Sequence, residues 1–138
     1  MDTPSGIHFD PDGTVRFVTD SQAIRLRRPT LSEYADIVDL SLGVDYKVIG
    51  TRQQLVDLNK KIAAGEATEG DIDEARRINR FVQTAKADVV RHILTTLGDV
   101  AEVGELPPWA AFSAHDVLSR LFGHWETVPF HGSGQNGT

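Results

Sequence analysis

The hydrophobic pattern changes period at Pro29, and this change constrains the fold more than any other feature of the chain. Before Pro29, residues 15–18 and 23–27 alternate between apolar and polar side chains, as half-buried strands do. The segment D-P-D-G at 10–13 has tight-turn chemistry, because proline fixes φ and glycine accepts a positive φ. After Pro29, apolar residues recur every three or four positions. The sequence therefore predicts a mainly α fold with a small N-terminal β-hairpin or meander, an α+β domain.

About four helices are expected after Pro29. Thr30 and Glu33 have the spacing of a capping box, in which each side chain bonds the other residue's amide. Glycines that follow a periodic segment are interpreted as helix ends, because glycine readily adopts the left-handed conformation. The predicted helices run from Thr30 to Gly43, from Thr51 to Gly65, from 69 to 97 and onward from Ser113, with connections at 45–50 and 99–105 and a rigid elbow at Pro107-Pro108.

Three regions are predicted along the 138 residues: a β arm at 1–29, a helical domain at 30–131 and a flexible polar tail at 132–138. The formal net charge of −6 disfavours broad nucleic-acid binding, since a negative surface repels phosphates. The absence of cysteine excludes disulfides and thiolate metal sites. No apolar run is long enough for a membrane span, so no membrane association is expected.

Candidate catalytic and metal-binding residues do not combine into a site. None of the five histidines is paired at the spacing that metal-binding helices use. Ser113, His115 and Asp116 are neighbours within one helical turn, so their side chains point apart instead of converging as a triad requires. His124, beside Trp125, is expected to make a hydrogen bond that closes a helix end. We therefore expect no catalytic residue, no metal site and no cofactor, and we do not expect an enzyme.

A basic patch lies at the end of the β region and consists of Arg25, Arg27 and Arg28. Arg25 and Arg27 share one strand face, opposite Ile24 and Leu26. The favoured interpretation of the patch is a strand face that is exposed to solvent. Phosphate binding and docking to an acidic partner surface are the two alternatives that the residues leave open.

Large apolar side chains are concentrated at 105–130, which contains both tryptophans. The tryptophans either seal the core of the domain or frame a groove that receives a partner helix. The residues of this segment that would form a partner-binding surface are Trp109, Phe112, Leu121, Phe122 and Trp125.

Three short motifs resemble a known family. They are I-R-L-R-R-P-T-L-S-E-Y at 24–34, L-P-P-W-A-A-F at 106–112 and H-W-E-T-V-P-F at 124–130. Together they are similar to the tail assembly chaperones of long-tailed actinobacterial phages, over roughly residues 22–131. The resemblance implies a small, mostly helical domain that binds the tape-measure protein during tail assembly, without catalysis. It also implies a protein of the host cytoplasm that is absent from the mature virion.

Two other classes of function fit the same residues. One is a structural subunit of the virion, such as a tail or connector protein, which would be found in purified particles. The other is a small regulatory or nucleic-acid-binding protein, which requires the arginine patch to dominate binding. A long helical protein is the expected partner in the chaperone interpretation, and self-association is left open.

Overall fold

The computed structural model describes residues 4–127. The predicted polar tail at 132–138 and the last three residues of the third motif lie outside the described residues. The elements are β1 (Gly6–Phe9), β2 (Val15–Val18), β3 (Ala23–Leu26), α1 (Leu31–Ala63), α2 (Glu69–Thr84), α3 (Ala87–Leu97), α4 (Pro108–Phe112) and α5 (Ala114–Thr127). The predicted mainly helical α+β fold is confirmed. No helix within 4–127 is long and apolar enough to cross a membrane.

The three strands form an antiparallel meander in the order β1-β2-β3, as the period-two pattern predicts. Gly13 closes the first turn with a φ of 91°, a conformation that glycine adopts without strain. In β3, Ile24 and Leu26 are buried, whereas Arg25 is exposed on the opposite face. The strands all lie before Pro29, and an isolated bridge from Leu26 to Gly98 links β3 to the residue after α3.

Helix α1 is one continuous helix of 33 residues, so the two predicted helices at 30–43 and 51–65 are wrong as separate elements. The capping box of Thr30 and Glu33 begins it, as expected. Gly43 and Gly50 lie inside the helix with open space around them. Thr51 does not cap a helix, because its hydroxyl donates to the Lys47 carbonyl one turn earlier. Packing of the inward face overrides the helix-weakening effect of the two glycines.

The helix predicted at 69–97 is two helices, which break between Thr84 and Ala87. Thr68 caps α2 through a capping box with Asp71. Beyond the break the end of α3 contacts the sheet, where the Arg27 amide donates to the Leu97 carbonyl at 3.0 Å. No proline or glycine marks the break, so the local sequence gives no signal for it.

Sheet and helices share one hydrophobic core. Inward residues of the strands, among them Phe17 and Ile24, are buried in the same cluster as α3 and α5. The β arm is therefore an integral layer of the domain. The predicted elbow at Pro107-Pro108 begins the one-turn helix α4, with Pro108 at a position where its missing N–H costs nothing.

Candidate partner-binding groove

An open groove runs between the middle of α1 and the junction of α4 with α5. Its volume is about 560 Å³. A shallower depression of about 240 Å³ continues it along α5, and Asp45, Lys86 and His115 line both. The groove proper is lined by Asp45, Val48, Ile49, Arg52, Val82, Gln83, Lys86, Phe112, Ala114 and His115. The continuation adds Val38, Ser41, Leu42, Leu118, Ser119 and Phe122. Both walls are helical, and the cleft between them is open to solvent.

The floor of the groove holds an ion pair. The Lys86 ammonium lies 2.9 Å from the Asp45 carboxylate, and only 15% of the Lys86 side chain is exposed. The same ammonium lies 3.5 Å from the hydroxyl of the buried Ser41. Lys86 reaches α1 from this position because the chain breaks between α2 and α3. The pair leaves the floor electrically neutral, so the floor does not select a charged ligand.

The two walls carry apolar side chains that face solvent. Ile49 on α1 is 65% exposed, and Phe112 at the end of α4 is 61% exposed. Apolar side chains that are exposed within a concave surface are typical of a binding site. Arg52, one helical turn beyond Ile49, has no ion-pair partner among residues 4–127. The site is therefore suited to an amphipathic helix whose apolar face carries a carboxylate at its edge.

Only part of the predicted aromatic surface lies at this groove. Phe112 lines its outer wall, and Phe122 lines its continuation along α5. Trp109 is half-buried and packs against Phe17 of the sheet, with ring centroids 4.9 Å apart. Leu121 and Trp125 are core residues, with 1% and 2% of their surface exposed. Trp125 therefore seals the core, which is the first of the two alternatives predicted for the tryptophans. Because Leu121 and Trp125 are both buried, neither side chain is accessible to a partner.

An aromatic cluster fastens α5 to the start of α1. The Tyr34 ring meets Phe122 and Trp125 edge-on, at centroid distances of 5.8 and 6.3 Å. The Tyr34 hydroxyl donates to the Glu126 carboxylate at 2.6 Å. Burial, followed by this hydrogen bond, raises the pKa of Tyr34 to about 12. The contact holds the C-terminal half of α5 against the first turn of α1.

The predicted basic patch is largely engaged within the chain. Arg27 forms a two-pronged ion pair with Glu33, at 2.6 and 2.7 Å. This contact, with the Thr30 amide, lowers the pKa of Glu33 to about 2. Arg28 donates to the Asp12 carbonyl of the first turn at 2.8 Å. The side chain of Arg25 is exposed on the sheet, so the three arginines offer less cationic surface than the sequence indicates.

His124 connects α5 to the first β turn. Its ring nitrogen Nε2 lies 3.2 Å from the Gly13 carbonyl, and its ring packs 4.7 Å from that of Phe9. His124 was expected to form a hydrogen bond that closes the end of its own helix. Its ring instead contacts the first β turn, which is distant in the sequence. Within the described part of the chain, no group of three or more His, Asp or Glu side chains is placed to hold a metal ion.

Sequence reasoning missed the α1 wall of the groove. Leu42 and Ile49, which line the groove or its continuation, lie seven positions apart and therefore on one helical face. That spacing is visible in the sequence, but the expected helix end at Gly43 and the expected connection at 45–50 obscure it. Nothing in the sequence indicates that Lys86 lies in the groove, because its ion pair with Asp45 joins segments that are distant in the chain.

Comparison with protein-family models, curated proteins and solved structures finds no match to this chain.

Proposed function

We propose that this protein is a non-catalytic phage tail assembly chaperone, which binds the helical tape-measure protein in the groove between α1 and α4–α5. The observation that carries the proposal is the pair of exposed apolar walls, with Ile49 on one side and Phe112 on the other. The resemblance of the three motifs to the chaperone family supplies the identity of the partner.

The apolar walls supply a driving force for binding a helix. Roughly two thirds of Ile49 and of Phe112 remain in contact with water in the free protein. Removing that surface from water contributes about 1–2 kcal/mol for each side chain. A tape-measure protein is a long helical chain with apolar faces, and such a chain aggregates when it is exposed before assembly. A chaperone that covers these faces reversibly keeps the chain soluble.

The polar groups of the groove fit a transient complex. The floor is neutral, since Lys86 is paired with Asp45. Arg52 at the edge is available for a carboxylate of the partner, a contact that orients a helix in the groove. The formal charge of −6 keeps the free chaperone soluble although its apolar surface is open.

Co-expression tests the proposal. The partner to use is the long helical protein that the resemblance predicts in a neighbouring reading frame. We expect this partner to be insoluble alone, and to be soluble and to co-purify when the chaperone is present. A partner that stays soluble and unassociated without this chain would contradict the proposal. Detection of the chain in purified particles, at a fixed number of copies, would instead favour a structural subunit.

A further inference from the structure

Helix α1 has a second apolar face that no element within residues 4–127 covers. Its central residues Leu42, Tyr46, Ile49 and Val56 are all exposed, Tyr46 by 76%. The inward face of the same helix carries Ile37, Ser41 and Val48, which are buried. From Leu42 to Val56 the exposed apolar stripe is about 20 Å long at about 1.5 Å per residue. We call Leu42, Tyr46, Ile49 and Val56 the α1 stripe.

The charges on α1 are segregated along its length. Residues 31–46 contain four carboxylates and no cation, whereas 47–63 contain four cations and one carboxylate. Some of these charges are paired within the chain: Glu33 with Arg27, Asp45 with Lys86 and Lys61 with Asp71. Asp39 and Lys60 are exposed and have no ion-pair partner among the described residues. The helix thus presents an acidic end and a basic end on either side of an apolar centre.

We propose that the α1 stripe is a homodimer interface, in which α1 pairs antiparallel with α1 of a second copy about a twofold axis near Ile49. Antiparallel pairing places the acidic half of each helix beside the basic half of the other, and parallel pairing would place like charges together. In this arrangement Asp39 lies near Lys60 of the second copy, and Asp45 lies near Arg52 of the second copy. The helix macrodipoles are also opposed, which favours the same orientation.

A second copy fits this face better than an unrelated partner because the face is complementary to itself. Its apolar centre extends seven residues to either side of Ile49, to Leu42 and to Val56. Its two ends carry opposite charge. Twofold pairing therefore buries the apolar centre of both copies and sets each acidic end beside a basic one. Leu42 and Ile49 also line the groove or its continuation, so this dimer and a helix bound in the groove compete for part of α1, whereas Tyr46 and Val56 belong to the dimer interface alone.

The test is the mass of the full-length protein in solution, measured by sedimentation velocity and light scattering over a hundredfold range of concentration. We expect the mass of two chains at the highest concentrations. Tyr46→Glu should weaken the dimer at least tenfold. Gln54→Glu, which adds the same carboxylate to another exposed face of α1, should leave the dimer unchanged. Because Tyr46 is largely exposed, the two variants should melt at similar temperatures.

A charge swap tests the antiparallel orientation. Asp39→Lys and Lys60→Asp should each weaken the dimer several-fold, and the double variant should recover most of the affinity. A wild-type protein that is monomeric throughout the range would overturn the proposal, as would equal masses for the Tyr46→Glu and Gln54→Glu variants. A dimer that Tyr46→Glu disrupts but the double variant does not restore would overturn the antiparallel arrangement. Phe112→Ala should leave the dimer intact, so failure of the groove and failure of this interface are distinguishable.

Discussion

Replacing Gly43 and Gly50 with alanine should stabilise the protein, because both glycines lie inside α1. A methyl group added at either position meets no atom within 4 Å. Glycine in an exposed helix interior is less stable than alanine by roughly 0.5–1 kcal/mol, since glycine loses more backbone freedom on folding. The two positions are seven residues apart, so their effects should add.

The double variant Gly43→Ala/Gly50→Ala should therefore gain about 1–2 kcal/mol in the free energy of unfolding. For a domain of this size the gain corresponds to a rise of roughly 3–8 °C in Tm. Urea unfolding gives the free energy, and a calorimetric melt gives Tm. Gly65→Ala is the matched control, because a methyl group there also meets no atom within 4 Å but the residue has a φ of +72°. Its backbone conformation should make alanine destabilising by about 1 kcal/mol.

The opposite sign at Gly43 or Gly50 would refute the continuous helix. A helix that ended at Gly43 would place this glycine in a left-handed conformation, and alanine would then destabilise the protein as it does at Gly65. The three variants make the same chemical change in open surroundings. The sign of each effect consequently reports the backbone conformation alone.

Two further predictions concern the core and the pH dependence of stability. Trp125→Ala should lower the free energy of unfolding by about 3–5 kcal/mol, because Trp125 is 2% exposed. Phe112→Ala should lower it by less than about 1 kcal/mol. Similar losses for the two variants in urea unfolding would show that one of the two burial assignments is wrong. The pKa of Glu33 is depressed from 4.5 to about 2 in the folded protein, so its stabilising contribution is present above about pH 4.5 and is lost as the pH falls toward 2. Glu33→Gln should cost about 1 kcal/mol at pH 7, because Arg27 is half exposed and the pair is screened by solvent. The difference between the Glu33→Gln variant and the wild type should shrink below pH 4.5, and a difference that stays constant down to pH 3 would contradict the assignment.

The features that the sequence predicted correctly are those that local chemistry determines. The turn at 10–13, the alternation of Ile24 and Arg25 in β3 and the capping box at Thr30 each depend on residues a few positions apart. The change of period at Pro29 separates strands from helices for the same reason. Such signals are readable without knowledge of what the segment packs against.

The features that it predicted wrongly depend on tertiary packing. Gly43 and Gly50 remain helical because the opposite face of α1 is held in the core by Ile37 and Val48. Beyond the break after Thr84, α3 contacts β3, which is distant in the sequence, so the local pattern carries no record of that contact. The exposure of the aromatic segment could not be predicted for a related reason, since periodicity gives the apolar face of α5 but not which of its residues are covered. Leu121 and Trp125 are covered, and Phe112 is not.

Affinity for the helical partner is the measurement that tests the groove most directly. A competition assay should measure how well unlabelled wild type, Phe112→Ala and Phe81→Ala displace labelled wild-type protein from the co-purified complex. Phe81 is a suitable control because it is a partly exposed phenylalanine of α2 that does not line the groove. We expect Phe112→Ala to weaken binding by about 1–2 kcal/mol, roughly 5- to 30-fold, with little change in the melt. Phe81→Ala should lower the melting temperature more than Phe112→Ala does, and its affinity for the partner should remain within about twofold of the wild-type value. Binding of the Phe112→Ala variant at wild-type affinity, or equal weakening by both variants, would contradict the assignment of the groove as the partner-binding site.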